Sequence, residues 1–203
     1  FNVLKSVIRG DRKPDKTPFT AADVPIFAEH SLAESEELMT AEWPKRATIR
    51  GRGVLAVACR LGGLDFSTGE RLDAANIGGR HYHHIFPDAL LKEADVNSFL
   101  ALNCALITDT TNISIGRKDP LEYLKDRYKW TSKAIVRERL QSHLIPIEEL
   151  ANGGYEGLSK GKKLEKLKQD FDTFIRQRAE LVTKAVKCLA EGRQLSATEI
   201  YGK

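Results

Sequence analysis

Three histidines, His81, His83 and His84, lie close together in a chain that has only five. A neutral imidazole is both a good metal ligand and a good general base near neutral pH. Two asparagines follow, Asn103 and Asn112, and amide oxygens suit Mg²⁺ or Mn²⁺ better than Zn²⁺. One His, one Asn and several waters would form a half-open metal site with room for a phosphate oxygen and an attacking water.

A short strand is predicted to carry the histidines. The residues from His81 to Phe86 are rich in aromatic and β-branched types, and Pro87 ends the run. Side chains alternate along a strand, so His81 and His83 are expected on one face and His84 on the other. A twist at Pro87 would be needed to bring His83 and His84 to one site.

The chain after this strand predicts a loop, a second strand, a turn and a helix. Residues 88–99 have the composition of a loop with a short helix, and residues 102–108 form an apolar run of strand length. Residues 110–112 are predicted to form a turn. Asp119 and Pro120 predict the start of a helix, with Asp as the N-cap and Pro at the first helical position.

The pattern of histidines and asparagines resembles the HNH endonuclease motif, which is carried on a ββα-metal fold. The segments that carry the resemblance are HHIFP at residues 83–87, then Asn103, then TNISIGRKDPLEYL at residues 111–124. They are closest to the HNH domain of GmrSD-type, modification-dependent (type IV) restriction enzymes.

This resemblance implies a role for each residue of the pattern. His83 takes the first metal-ligand position, which is often Asp in other HNH enzymes, and Asn112 takes the last, which is His in many relatives. His84 takes the general base. Asn103 takes the middle position, which orients the loop and the base. The implied cofactor is a divalent metal, Mg²⁺ or Mn²⁺ rather than Zn²⁺.

Few positive charges lie in the motif itself, so the basic residues around it are predicted to hold a phosphate backbone. Arg117 or Lys118 would neutralise the phosphate, whereas His81 is as compatible with a structural role as with a phosphate contact. A basic run at residues 160–168 is a rival surface, although such runs are usually solvated helix faces. The residues predicted to contact DNA are His81, Arg117, Lys118, Lys125, Arg127 and Lys129.

Composition is that of an ordinary globular protein. The 203 residues are 30% charged and 41% hydrophobic, with a net charge of +4, which is compatible with nucleic-acid binding. No apolar run reaches membrane length, and no signal peptide is visible. The three cysteines form no disulfide framework, which favours a reducing, cytoplasmic location. Because the chain opens on Phe, we expect a piece of a longer protein.

An α+β fold is predicted, mostly helical, with an embedded ββα-metal (HNH) unit. Residues 1–63 are predicted to form a helical connecting layer, residues 64–130 the nuclease core, and residues 131–203 a helical region that packs on the core. A long amphipathic helix is predicted over residues 159–190. By resemblance, an N-terminal nucleotide-handling domain of the same longer protein would precede the connecting layer.

The expected function is that of a metal-dependent endonuclease that hydrolyses DNA, as the nuclease part of a bacterial restriction or antiviral defence protein. Two alternatives stay open, a non-catalytic DNA-binding or regulatory module with an HNH-like fold and an RNA-directed nuclease. The intact His84 favours activity over the non-catalytic module. A structural zinc site is disfavoured, because neither a CxxC motif nor a second histidine pair accompanies the cluster.

Overall fold

A computed structural model of the chain describes residues 2–45 and 48–202. These residues are mostly helical and include a two-stranded antiparallel sheet, which confirms the predicted α+β class. The α-helices are α1 (Asn2–Arg9), α2 (Pro25–Glu29), α3 (Ser35–Met39), α4 (Ile49–Ala58), α5 (Asp88–Glu93), α6 (Asp109–Ile115), α7 (Pro120–Trp130), α8 (Lys133–Gln141), α9 (Ile147–Leu150), α10 (Lys160–Ala190) and α11 (Ala197–Tyr201). Short 3₁₀ helices cover Ala21–Asp23, Ile77–Gly79 and Ala101–Asn103.

The sheet pairs β1 (His81–His84) with β2 (Cys104–Ile107). Both predicted strands are present, and each is shorter than the apolar run that predicted it. The register places His83 opposite Ala105, and His83 is buried while His81 is exposed and His84 is half-buried. β1 ends before Pro87, as expected of a residue that cannot donate to the ladder.

A hydrophobic core draws side chains from all three predicted parts of the chain. Leu38, Leu124 and Phe174 come from the first, second and third part, and all three are buried in the same cluster. The predicted long amphipathic helix is confirmed as α10, which packs against α3, α4, α9 and α11. Within the described residues, no helix combines the length and apolar character that a membrane span requires.

A buried arginine joins α10 to the start of β2. Arg178 is fully buried, and its guanidinium donates hydrogen bonds to the carbonyls of Leu102, Cys104 and His143 at 2.7, 3.0 and 2.9 Å. Burial lowers the pKa of Arg178 to about 10, which still leaves it charged at neutral pH. Three backbone acceptors offset the cost of burying this charge and hold the second strand on the long helix.

The predicted turn at residues 110–112 is wrong, because these residues lie inside α6. Thr108 is the N-cap of this helix, and its hydroxyl accepts a hydrogen bond from the N–H of Thr111. Gly116 ends the helix with a φ of +57°, a conformation that favours glycine. The predicted start of α7 is confirmed, since the side chain of Asp119 accepts from the first N–H groups of that helix.

The carboxylate of Asp65 fixes the start of α6. Its Oδ1 accepts hydrogen bonds from the N–H of Thr68 at 2.8 Å and the hydroxyl of Thr111 at 2.6 Å, and its Oδ2 accepts from the N–H of Thr108 at 2.7 Å. The guanidinium of Arg80 lies 3.7 Å from Oδ2. Burial alone would raise the pKa of Asp65, but the hydrogen bonds outweigh it and hold the pKa well below its usual range.

We expect Asp65→Asn to lower the free energy of unfolding at neutral pH by about 2–4 kcal/mol, because it removes a buried, fully bonded charge. The folded-state pKa is depressed, so this stabilisation is complete above the unfolded-state pKa of about 4 and is lost as the pH falls towards the folded pKa. Denaturant unfolding at several pH values should show a wild-type free energy that falls more steeply with acid than that of the variant. Parallel curves would contradict this assignment.

Candidate active site

β1 and α6 bring His83 and Asn112 into contact. The Nδ1 of His83 lies 2.9 Å from the Oδ1 of Asn112. An amide oxygen can only accept, so this hydrogen bond requires the proton of the imidazole to be on Nδ1. Burial lowers the pKa of His83 to about 4. The ring is therefore neutral at pH 7, and neutral imidazole is the form that binds metals.

A divalent ion could take the place of the proton between this pair only after a change of tautomer. Two ligand atoms that lie about 2.1 Å from one ion, at right angles, are about 3.0 Å apart. The observed 2.9 Å is an ordinary hydrogen-bond distance that is also compatible with this spacing, provided that the Nδ1 proton moves to Nε2. The described residues include no group of three or more His, Cys, Asp and Glu side chains that could hold a metal. One imidazole and one amide leave most ligand positions to water or phosphate oxygens, which Mg²⁺ and Mn²⁺ accept readily.

His84 follows on the other face of β1 and is half-buried. Its ring stacks on Trp43, with centroids 4.0 Å apart. Burial lowers the pKa of His84 below its ordinary value, so the neutral ring that can take up a proton predominates at pH 7. The Nε2 of His84 is buried and has no hydrogen-bond partner among the described residues.

His83, His84 and Asn112 all line one cleft of about 370 Å³, although His83 and His84 leave the strand on opposite faces. The strand ends at His84, a bend follows at residues 85 and 86, and Pro87 lines the cleft beside the two histidines. Arg117 lines the same cleft, is exposed, and makes no hydrogen bond or ion pair with another described residue. The full lining is Tyr82, His83, His84, Pro87, Asp88, Ala89, Asn112, Gly116 and Arg117.

Asn103 does not line this cleft, but its side chain binds the backbone of the segment that follows His84. Its Oδ1 accepts the N–H of Phe86 at 2.8 Å, and its Nδ2 donates to the carbonyls of Phe86 and Ser98 at 3.1 and 3.0 Å. The side chain is completely buried. A single amide thus replaces the strand pairing that is lost where the chain bends after His84.

Most of the residues predicted to contact DNA already have partners within the protein. His81 pairs with Asp109 at 3.2 Å. Lys118 and Lys129 both pair with Asp126, at 2.7 and 3.2 Å.

Arg127 is equally engaged, because it donates to the hydroxyl of Ser67 and lies over the ring of Tyr123. Arg117 and Lys125 differ, since they line a larger groove of about 710 Å³ together with Lys163 of the rival basic run. The acidic Asp119, Glu122 and Glu156 line that groove as well. Arg117 is thus shared by the groove and the histidine cleft.

Two residues of the site, Asp88 in the cleft and Trp43 behind it, were missed from the sequence. Asp88 directly follows Pro87 and places a carboxylate at the rim, where it pairs with Lys92 at 2.7 Å. Its position beside the histidine segment is a signal that sequence reasoning could have used. Trp43 offered no such signal, because it lies far from His84 in the chain.

Comparisons of the chain with protein-family models, with curated proteins and with solved structures found no match. The residues and the geometry of this site therefore carry the inference of function.

Substitution of Asn112 offers a direct test of the metal pair. Asn112→Asp keeps the shape and adds a charged oxygen ligand, so Mn²⁺ should bind more tightly. Asn112→Leu keeps the size and removes the oxygen, so Mn²⁺ should bind more weakly. Titration calorimetry with Mn²⁺ measures both, and thermal unfolding verifies that each variant is folded. Equal affinity in the wild type and both variants would remove Asn112 from the site.

Proposed function

We propose that the protein is a metal-dependent endonuclease of the HNH type that hydrolyses DNA phosphodiester bonds. The proposal is carried by the convergence of His83, His84 and Asn112 on one cleft. His83 and His84 come from β1, and Asn112 comes from α6, the helix that directly follows the paired strand β2; the order β1, β2, α6 is the one expected of a ββα-metal unit. We further propose that this activity serves a bacterial restriction or antiviral defence protein, as the resemblance implies.

The two histidines and Asn112 have distinct tasks in the proposed hydrolysis. His84, neutral at pH 7, takes a proton from the water whose oxygen attacks phosphorus. His83 and Asn112 would hold a divalent ion, and a bound ion would stabilise the negative charge that develops on the phosphate and the leaving oxygen. The bond between phosphorus and the leaving oxygen breaks, and that oxygen takes up a proton from solvent.

Substrate binding centres on Arg117. It alone among the residues lining the cleft has a permanent positive charge, and its guanidinium has no partner among the described residues. A bidentate contact with a phosphate would satisfy it. Arg117 also lines the larger groove, where Lys125 adds a second positive charge, while Lys163 of α10 pairs with Glu93 at 2.7 Å. We propose that the DNA backbone follows this groove out of the cleft.

The test of the proposed base uses two substitutions of His84. His84→Phe retains a flat ring against Trp43 but cannot accept a proton, so cleavage should fall by about 10²- to 10⁴-fold while the fold is kept. His84→Ala should lose the same activity and also be less stable, because it removes the stacked ring. Nicking of supercoiled plasmid in Mn²⁺ measures the rate, and thermal unfolding measures stability.

Comparison of the two variants separates a catalytic from a structural histidine. Wild-type cleavage by His84→Phe would exclude His84 as the base. Added imidazole should partly restore activity to His84→Ala, because it can occupy the space the ring has left, and it should not restore His84→Phe.

A further inference from the structure

Trp43 belongs to the predicted connecting layer, residues 1–63, and its ring lies against His84, the proposed base. The rings of Trp43 and His84 are stacked, with centroids 4.0 Å apart and planes 15° apart. Phe99 meets both rings edge-on, at 5.0 Å from His84 and 5.7 Å from Trp43. Only 6% of the surface of Trp43 is exposed. The three rings form one packed cluster behind the cleft.

No hydrogen bond orients the His84 ring within the part of the chain that the structure describes. A catalytic base is usually held in its working orientation by a hydrogen bond from a third group. Here Nε2 is buried without such a partner. The Nδ1 atom is therefore left for the cleft, and the ring plane is set by packing against Trp43 on its face and Phe99 at right angles.

We infer that Trp43 is a positioning residue for catalysis, which holds the imidazole of His84 so that Nδ1 faces the attacking water. This inference rests on the proposed function, because it gives Trp43 a task only if His84 is the base. Stacking against a buried indole fixes the plane of the imidazole ring. A misplaced base costs rate and leaves substrate affinity nearly unchanged.

Trp43 is itself held by backbone contacts. Glu42 forms an antiparallel bridge with Leu100, and the N–H of Ala101 donates to the carbonyl of Ala41 at 2.8 Å. Gly51 on α4 packs directly beneath this segment, because a Cβ at that position would lie 2.1 Å from the carbonyl oxygen of Glu42. The position of the indole thus depends on a close helix approach that only glycine allows.

The experiment compares Trp43→Phe, which keeps a flat ring, with Trp43→Leu, which keeps apolar bulk without one. Single-turnover nicking in Mn²⁺ measures the chemical rate, and anisotropy with a duplex in Ca²⁺ measures affinity. Trp43→Leu should lose about 10- to 100-fold in rate with affinity changed by no more than about twofold, and Trp43→Phe should recover most of that rate. In the NMR spectrum, the ring protons of His84 should lie upfield in the wild type and move downfield in Trp43→Leu.

A second pair of variants tests the position of the indole without a change at Trp43 itself. Gly51→Ala must displace the Glu42 backbone and should lower the rate in the same way, whereas Gly53→Ala on the exposed face of α4 meets nothing within 4 Å and should match the wild type. A folded Trp43→Leu that cleaves at the wild-type rate overturns the inference, and so does loss of rate and affinity together. A wild type that cleaves nothing overturns the proposed function, and with it the catalytic task of Trp43.

Discussion

The carboxylate of Asp65 is the interaction on which the geometry of the site depends. It binds the backbone of Thr108 and the hydroxyl of Thr111, and so it sets where α6 begins relative to the sheet. Asn112 is the next residue of that helix, and it reaches within 2.9 Å of His83 on β1. A small rotation of α6 would separate the two side chains. The buried charge thus fixes the spacing of the proposed metal ligands.

The predictions that the structure confirms came from local sequence patterns. Proline after an N-cap residue predicted the start of α7, and the spacing of apolar residues predicted α10, because both signals lie within the element they define. The same local logic failed at Thr111 and Asn112, which are common turn residues. There the choice between turn and helix involves the Thr108 cap, and Asp65 binds Thr108 from 43 positions away.

Contacts between distant residues account for what the sequence did not reveal. Nothing near His84 in the chain predicts that Trp43 stacks on it, and nothing near Arg178 predicts that it reaches the carbonyl of Leu102, 76 positions away. The distribution of basic residues in the sequence was also insufficient to predict the DNA contacts, because it does not show which basic residues form ion pairs within the protein. Lys118 and Lys129 looked free for DNA, yet both pair with Asp126 in the folded chain.

Cleavage of supercoiled plasmid by the wild-type protein, with Mg²⁺, Mn²⁺ or EDTA, tests the central claim most directly. A site of one imidazole, one amide and open positions should act only with a divalent ion. We therefore expect nicked or linear plasmid with either metal and intact plasmid in EDTA. Intact plasmid with both metals at excess protein, or equal cleavage in EDTA, would contradict a metal-dependent DNA endonuclease.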